Sequence, residues 1–436
     1  MKKAKVHFMG ISGSGFSGAA ALAKAEGFEI SGCDINLDRK ESESNLGKIK
    51  LFTSHHPKHL RRADFLVISP AVNALDPQNS EVQEAKKRKI PILTWQEFIG
   101  KFLLNGKSVI ATCGTHGKST TCGMLGFVLE QAGLDPWVLL GAKVLNWGKN
   151  FRIGKSKYFV IEADEYNNNF LNYHPDIIVM TNIDWDHPDF FTDESQTYQS
   201  FTKFIQGARR PFALFVLPEE IGVKFFLSFL AGQDEMRKFL KLIKYPEIQK
   251  LSLQVPGEFN ILNASLAYVV AKSLGIKDKI IRKALEDFKG VARRFELVGK
   301  IGKMQIFDDY AHHPQEIKAT LAMAKDIFPK RKIWVCFQPH TFSRTKALFS
   351  EFVQALKNAP VDRIFLLDIF AARERDEGII SSQKLVETVG IPKVQYIGSL
   401  LETFGFLRNK KDKPDILINM GAGDIFKLSQ MLLAKS

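Results

Sequence analysis

The chain alternates short apolar runs with longer stretches in which charged residues and alanine are interspersed. The apolar runs are rich in Val, Ile, Leu and Phe, and most end in Gly, Ser, Asp or Asn, which predicts buried strands. Strands that alternate with helices indicate parallel sheets covered on both faces, as in α/β proteins. The predicted strands are residues 4–9, 28–33, 65–72, 91–94, 109–113, 158–162, a run that starts at 176, 304–307, 333–337, 363–368 and 415–420.

The most specific stretch follows the strand at 109–113 and opens a helix that runs through Leu129. It consists of Gly114, Thr115, His116, Gly117, Lys118, Ser119 and Thr120. The backbone amides of such a loop, and the N-terminus of its helix, attract phosphate. Lys118 can reach the β- and γ-phosphates of a nucleotide, and the Ser119 hydroxyl can bind Mg²⁺. Thr112 stands where a general phosphate loop has glycine, and the alternative is an ordinary turn with a solvated lysine.

A second glycine-rich turn follows the first strand, and an Ala-rich helix leads from it to about Ala25. This is a dinucleotide-type start, in which Asp34, at the end of the next strand, is placed to bind a ribose hydroxyl. The alternative is a tight turn that packs helix on strand without a ligand. The candidate substrate contacts at this edge are Gly13, Ser14, Gly15, Asp34, Ser69 and Ala71.

Acidic residues follow two further apolar runs. Glu162 ends one run, with Asp164 and Glu165 behind it, and the other run leads to Asp186 and His187. Ligands in open α/β sheets bind at the carboxyl ends of strands, and Mg²⁺ takes carboxylates together with phosphate oxygens. Glu162 is therefore the candidate ligand, and His187 a less usual one. Helix capping or solvation is the alternative for these carboxylates.

The last third of the chain repeats this arrangement of apolar strands that exit into polar turns. Asn260 and Asn263, one helical turn apart, can face one ligand. A histidine-rich metal site is one interpretation of the polar turns that follow, and contacts to a polar substrate are the favoured one. The polar residues considered are Arg293, Arg294, Asp308, Asp309, His312, His313, His340, Arg344 and Arg373.

Composition limits the classes of protein. A chain of 436 residues is too long for one ordinary core, so two or three domains are expected. The net charge of +14 is spread without a basic tail, and it serves anionic small substrates or solubility, so no nucleic acid partner is predicted. Four separated cysteines argue against a zinc site or a disulfide framework, and suit the cytoplasm. No membrane span and no signal peptide are predicted.

These motifs together resemble the Mur ligases, the ATP-dependent amide-forming enzymes of peptidoglycan precursor synthesis. The motifs that carry the resemblance, in order along nearly the whole chain, are HFMGISGSGFSG, GTHGKSTT, EADEY, TNIDWDH, PGEFNILNA, RRFE, DDYAHHP, QPHTFSRT, DIFAARE and MGAGD. The resemblance implies three domains: a Rossmann-like UDP-sugar domain (1–105), a central P-loop ATPase-type α/β domain (106–291) and a C-terminal Rossmann-like α/β ligase domain (292–436).

The resemblance also implies roles for individual residues. Lys118 and Ser119 belong to the phosphate loop, and Glu162 and His187 match magnesium ligands, beside the Ser119 hydroxyl that the loop motif itself indicates. Asn260 matches an adenine contact, with Asn263 beside it. The remaining matches are Arg294 and Asp309 to nucleotide contacts, and His340 and Arg344 to third-domain contacts. Separately from the resemblance, His313 and Arg373 are candidate substrate contacts.

The implied reaction is attack of a muramate carboxylate on ATP, followed by attack of an amine on the acyl phosphate. The third-domain motifs are most similar to the branch of the family that adds L-alanine to UDP-N-acetylmuramate. A recycling ligase that adds a whole tripeptide, and a nucleotide-binding regulatory module without ligase chemistry, are the alternatives. We expect ATP and Mg²⁺ as cofactors, and a cytoplasmic monomer or homodimer.

Overall fold

The computed structural model describes residues 4–37, 46–47, 49–69, 72, 76, 78–209, 214–218, 240–243, 248, 251–372 and 374–434. Ala71 and Arg373, two of the predicted substrate contacts, lie outside these residues, as does much of 210–250. None of the helices in the described part of the chain has the length and apolar character that a membrane span requires.

Three mainly parallel sheets follow one another along the described chain. Their strands are β1 (Lys5–Met9), β2 (Glu29–Cys33), β3 (Lys50–Phe52), β4 (Phe65–Ile68), β5 (Ile92–Thr94), β6 (Ser108–Cys113), β7 (Trp137–Val144), β8 (Lys149–Arg152), β9 (Tyr158–Glu162), β10 (Ile177–Met180), β11 (Leu214–Pro218), β12 (Leu240–Ile243), β13 (Glu296–Ile301), β14 (Met304–Asp309), β15 (Ile333–Phe337), β16 (Arg363–Leu367), β17 (Val394–Gly398) and β18 (Ile416–Met420). The predicted α/β fold with parallel sheets is confirmed, although β4 ends at Ile68, earlier than residue 72.

Helices connect the strands. The α-helices are α1 (Ser14–Ala25), α2 (Ser80–Lys87), α3 (Trp95–Phe98), α4 (Lys118–Gln131), α5 (Glu194–Gln206), α6 (Glu258–Ser273), α7 (Asp278–Asp287), α8 (Pro314–Ile327), α9 (Phe342–Ala347), α10 (Phe349–Lys357), α11 (Ser382–Val389), α12 (Leu400–Asn409) and α13 (Phe426–Ala434). Short 3-10 segments span Pro57–Arg62 and Tyr166–Asn172, and a π-helical turn spans Ile99–Leu103.

The strand order determines where ligands can bind. The first sheet has the order β3-β2-β1-β4-β5 and is parallel throughout, so the order reverses beside β1. The second has the order β12-β11-β10-β6-β9-β7-β8, with only β8 antiparallel to its neighbour. The third has the order β13-β14-β18-β15-β16-β17, with β13 antiparallel. The carboxyl ends of β1 and β6 therefore open into crevices of the kind that bind ligands in α/β proteins.

The chain forms two compact units. The first contains residues 1–184, 194–254 and 258–289, and the second contains 185–193, 255–257 and 290–436. In the first unit, one apolar cluster is shared by the two sheets, and α1 packs there on β7, where a Cβ on Gly18 would lie 2.7 Å from Leu139. A second cluster, which includes Met9 and Leu66, packs on the first sheet. In the second unit, separate clusters around Phe352 and Trp334 cover the sheet. Fully burying a side chain of this size stabilises the fold by about 1.5–3 kcal/mol.

Candidate active site

The phosphate-loop candidate lies at the carboxyl end of β6, between β9 and β10. Gly114 has a φ of 128° and Gly117 a φ of 80°, both in the left-handed region that favours glycine. A Cβ on Gly114 would lie 2.1 Å from Oγ1 of Thr181, and one on Gly117 would lie 2.7 Å from Oδ1 of Asn263. The two glycines are therefore required both by their backbone angles and by the close approach of neighbouring side chains.

Side chains that follow β10 hold this loop in shape. Asn182 accepts a bond from the His116 amide at 2.8 Å and donates one to the His116 carbonyl at 3.0 Å. The Thr181 hydroxyl donates to the same carbonyl at 2.5 Å. The Thr115 hydroxyl donates to the carbonyl of Asp184 at 2.9 Å and accepts from its amide at 2.8 Å. We had not predicted these supports, although Thr-Asn-Ile-Asp directly after an apolar run was a visible signal.

Lys118 is paired with a carboxylate inside this loop. Its Nζ donates to the two oxygens of Glu165 at 2.8 and 3.1 Å and to the Thr115 carbonyl at 3.1 Å. Burial lowers the pKa of Lys118, but the negative charges of Glu165, Asp164 and Glu162 outweigh it and raise that pKa above its ordinary value. Lys118 therefore carries a positive charge at the site.

Glu165 has the opposite environment. Its side chain is 2% exposed, and burial raises its pKa to about 7 against the attraction of Lys118. We had placed it in the acidic cluster after β9 but not among the site residues, because an ion pair with the loop lysine depends on the three-dimensional packing of β9 against β6.

Ser119 and Glu162 meet where a magnesium ion is expected. The Ser119 hydroxyl donates to Oε2 of Glu162 at 2.8 Å, and the Gly141 amide donates to the same oxygen at 2.7 Å. A hydroxyl and a carboxylate are hard oxygen ligands of the kind Mg²⁺ prefers, so this pair fits the ion. Thr120 is buried in the first turn of α4 beside them.

Asn260 and Asn263 lie on one face of α6 and are both buried. The Asn263 Oδ1 accepts a bond from the Thr121 hydroxyl at 3.1 Å, and its Nδ2 donates to Oδ1 of Asn260 at 3.2 Å. The one-turn spacing thus brings both amides to the helix that follows the phosphate loop. In this structure Asn263 supports the loop through Thr121 and through its contact with Gly117.

The glycine-rich turn after β1 has a different internal support. The Asp34 carboxylate accepts the Ser12 amide and the Asn36 amide, each at 2.9 Å. Binding of a ribose hydroxyl by Asp34 stays a prediction; within the chain, one of its oxygens supports this turn and the other supports the residues that follow β2. The carboxylate reaches the turn because β2 pairs beside β1 and ends directly opposite it.

The other candidates of the first sheet lie at the same edge. Gly13 precedes α1 as its N-cap, and Ser14 is the first residue of that helix. A Cβ on Gly15 would lie 3.0 Å from the Trp95 ring. The Ser69 amide donates to the Met9 carbonyl at 3.0 Å, so the end of β4 stays next to the end of β1.

In the second unit, a buried ion pair anchors the predicted residues. The Arg344 Nε donates to Oδ1 of Asp186 at 2.8 Å, and its Nη1 lies 3.1 Å from Nδ1 of His340. Burial raises the pKa of Asp186, but Arg344, His187 and His312 outweigh it and hold the pKa well below its usual range. Burial lowers the pKa of His340 to about 3, so its imidazole is neutral near pH 7.

His187 lies in the same cluster. Its backbone has a φ of 57°, unusual for a residue other than glycine, and its carbonyl accepts the Phe190 and Phe191 amides at 2.8 Å. Its Nδ1 is 3.5 Å from Nη2 of Arg344, and its amide donates to Asp186 at 2.7 Å. Strained positions of this kind recur at functional sites.

The predicted nucleotide and substrate contacts around β13 and β14 also bond to groups of the chain itself. The Asp309 carboxylate accepts the Phe295 and Ala311 amides at 2.8 Å, and burial raises its pKa to about 6. The Arg294 guanidinium lies over the Tyr310 ring at 5.0 Å. His313 is the N-cap of α8, where its Nδ1 accepts the Gln315 amide at 3.3 Å.

Comparison with known proteins defines the class. Residues 5–107 match the description "Mur ligase family, catalytic domain", residues 112–229 match "Mur ligase middle domain", and residues 293–423 match "Mur ligase, glutamate ligase domain". Curated relatives that are about a third identical cover almost the full chain. The chain belongs to the Mur ligase family.

One of the more similar relatives is the UDP-N-acetylmuramate–L-alanine ligase of Clostridium kluyveri, which is 36% identical over 99% of this chain and 98% of its own length. The crystal structure of a UDP-N-acetylmuramate–alanine ligase from Thermotoga maritima superposes with a TM-score of 0.76 at 24% identity, covering 99% of this chain and 98% of that one. A murein peptide ligase from Psychrobacter arcticus gives 0.69 at 21% identity, with coverage of 99% and 98%. At these identities the two structures show the fold alone.

Proposed function

We propose that this chain is an ATP-dependent, ADP-forming ligase that joins L-alanine to the muramate carboxylate of UDP-N-acetylmuramate. The observation that carries the proposal is the similarity to curated ligases of that name, which are about a third identical over almost the full chain. The phosphate loop and the acidic residues at the strand ends lie within the motifs that resemble the family. The reaction supplies peptidoglycan precursors, and it belongs in the cytoplasm, where ATP and the UDP-sugar are made. We propose that the active species consists of this chain alone, as a monomer or a homodimer.

The first step joins two anions, so it requires countercharge more than an enzyme nucleophile. A carboxylate oxygen of the muramate bonds to the γ-phosphorus of ATP, and ADP leaves. The Lys118 ammonium and the amides at the start of α4 face the phosphates. Ser119 and Glu162 would hold Mg²⁺, which when bound neutralises phosphate charge; His187 is a proposed ligand from family resemblance.

The second step forms the amide. The amine nitrogen of the amino acid, as the free amine, attacks the carbonyl carbon of the acyl phosphate. The bond from that carbon to the phosphate oxygen breaks, inorganic phosphate leaves, and the nitrogen loses a proton to solvent. Holding the reactants in position supplies much of the rate gain. We propose that Arg373 or Arg344 anchors the carboxylate of the amino acid as a bidentate pair, with His340 beside Arg344.

The remaining residues are proposed either to bind the substrates or to position the groups that do. Asp309 fixes the amide of Phe295 and thereby places Arg294, which we propose contacts the nucleotide. Asn263 supports the phosphate loop, and Asn260 is the proposed adenine contact. On the first sheet, Gly13, Ser14, Gly15, Asp34, Ser69 and Ala71 are proposed to contact the UDP-sugar, and His313 is a further proposed substrate contact.

The test is ADP release by the purified chain with ATP, Mg²⁺, UDP-N-acetylmuramate and L-alanine, with each component omitted in turn. We expect turnover only with the complete mixture, and a product whose mass equals the UDP-sugar plus alanine minus water. ADP release that is independent of the UDP-sugar would instead support a nucleotide-binding module. Turnover only with a tripeptide would support the recycling ligase.

A further inference from the structure

Four side chains from four separate elements converge beneath the glycine-rich turn of the first sheet. They are His7 of β1, Cys33 of β2, His59 of the 3-10 segment Pro57–Arg62 and Glu81 of α2, and one ligand atom of each lies within 4.8 Å of the others. The side chains of His7 and Glu81 are fully buried, and that of His59 is 9% exposed. None of the four has a role in the proposed ligase reaction.

The spacing of three ligand atoms is within about 0.4 Å of that in a tetrahedral metal site. The His7 Nε2 is 3.3 Å from the Cys33 Sγ and 3.5 Å from Oε2 of Glu81, and the Cys33 Sγ is 3.2 Å from that same oxygen. Zinc bonds of about 2.3 Å to sulfur and 2.0–2.1 Å to nitrogen or oxygen place neighbouring ligand atoms about 3.4–3.6 Å apart in a tetrahedron. The fourth candidate atom, Nδ1 of His59, bonds the other Glu81 oxygen at 2.5 Å.

Groups around the cluster orient these ligands. Nδ1 of His7 is bonded to the Ser31 hydroxyl at 2.9 Å, which leaves Nε2 directed at the cluster. Such outer hydrogen bonds fix the ring orientation of metal-binding histidines. The His56 amide donates to Oε1 of Glu81 at 2.8 Å, and Nδ1 of His55 lies 3.1 Å from the Cys33 sulfur.

Charge favours a divalent ion here. A thiolate, a carboxylate and two neutral imidazoles sum to two negative charges, which a divalent cation cancels. The apolar residues Met9, Leu66 and Val82 surround the cluster, and an uncompensated charge in such surroundings is costly.

We propose that His7, Cys33, His59 and Glu81 form a binding site for a divalent transition metal with the coordination of structural zinc. The Cys33 thiol loses its proton to solvent when the metal binds. The Cys33 carbonyl accepts the Gly10 amide at 2.8 Å and the Ile11 amide at 3.2 Å, so the metal would anchor the turn of the first sheet. The spacing of the cysteines argued against a zinc site. It could not indicate this one, because the four ligands come from four separate elements and include a single cysteine.

Co²⁺ titration of the full-length chain, stripped with a chelator and then supplied with excess Mg²⁺, tests the site. We expect one equivalent of Co²⁺ to give the intense visible bands of tetrahedral cobalt and a near-ultraviolet thiolate-to-cobalt band, both removed by Zn²⁺. Cys33→Ser should abolish the thiolate band, and His59→Gln should weaken Co²⁺ binding by about tenfold or more. The matched control is Cys336→Ser, a buried cysteine of the third sheet, which should change neither.

Two results of the cobalt titration would overturn the proposed metal site. If the cluster is only a hydrogen-bonded network, the wild-type chain gives no thiolate-to-cobalt band. A band that persists in Cys33→Ser would also overturn the proposal, and the wild-type titration together with His59→Gln decides the matter if Cys33→Ser does not fold. The ligase assay with Mg²⁺ alone is a separate measurement, so failure of either proposal is recognised independently.

Discussion

The Lys118→Met substitution separates two contributions of the phosphate-loop lysine. Methionine retains the apolar stem and removes the charge. In the folded chain the change deletes three hydrogen bonds from Nζ and leaves Glu165, which is 2% exposed, without its countercharge. The two contributions are the stability of the first unit and the rate of the first chemical step.

The expected cost in stability is modest. Breaking a buried ion pair by removing one partner typically costs about 3–5 kcal/mol. Here burial already raises the pKa of Glu165 to about 7, so without Lys118 the carboxyl takes up a proton near neutral pH. Protonation removes the uncompensated charge, so we expect a loss of about 1–3 kcal/mol, the usual cost of removing one partner of a buried hydrogen bond between polar groups. Lys118→Met combined with Glu165→Gln should recover most of it.

The expected cost in catalysis is larger and is not recovered. Removing one preorganised charge or donor from a developing anion costs about 10²–10³ in kcat, or about 2.7–4 kcal/mol. We expect this loss in both the single and the double variant, measured as phosphate release at saturating ATP. UDP-sugar affinity, measured by calorimetry, should stay within a few-fold, because the sugar is proposed to bind at the first sheet. Lost UDP-sugar binding in a folded Lys118→Met, or near wild-type turnover, would refute this reasoning.

Three further substitutions test the structure. Gly114→Ala should reduce ATP binding strongly in a nucleotide titration, because the new Cβ would lie 2.1 Å from Oγ1 of Thr181. Gly106→Ala is the control in the same titration, since Gly106 also has a positive φ but open space around it. Burial raises the pKa of Asp308 to about 6, so the stability that this carboxyl contributes is complete below about pH 4 and is lost as pH rises through 6. Relative to the wild type, Asp308→Asn should therefore gain up to about 3 kcal/mol of stability between about pH 4 and pH 6, measured by thermal melts. Melting temperatures of the variant and the wild type that change in parallel with pH would contradict this prediction. Arg344→Met should destabilise the second unit by about 3–5 kcal/mol in chemical denaturation, because it leaves the buried Asp186 carboxylate without its ion-pair partner. Adding Asp186→Leu should restore much of that stability. Losses that simply add in the double variant would show that the two side chains are not coupled.

Buried strands were the most predictable part of the fold. The runs that became β6, β15 and β18 are apolar at nearly every position, because parallel strands are covered on both faces. Of the edge strands, β5 was predicted but β8 and β13 were not. β8 reads Lys-Asn-Phe-Arg and β13 reads Glu-Leu-Val-Gly-Lys-Ile, and their partly exposed residues lack a continuous apolar signal.

In the candidate site, too, features set by neighbouring residues were predictable and features set by distant residues were not. Gly114, Gly117 and Lys118 were recognised from local spacing, since one turn dictates all three. Neither the pair of Lys118 with Glu165 nor the cluster of His7, Cys33, His59 and Glu81 was recognised, because the members lie on elements that are distant along the chain and meet only in the fold. Residues such as Asp34 and Asp309 were recognised as important, but their carboxylates bind backbone amides of the chain.

The most direct test of the proposed function is a competition between L-alanine and L-Ala-γ-D-Glu-diaminopimelate in one reaction with ATP, Mg²⁺ and UDP-N-acetylmuramate. The products are separated and quantified by mass, which gives the ratio of kcat/KM for the two acceptors. We predict that the alanine adduct dominates, with glycine and L-serine as poorer acceptors, since one small group in a tight pocket is worth about 1–3 kcal/mol. A dominant tripeptide adduct would contradict the account and assign the chain to the recycling ligases.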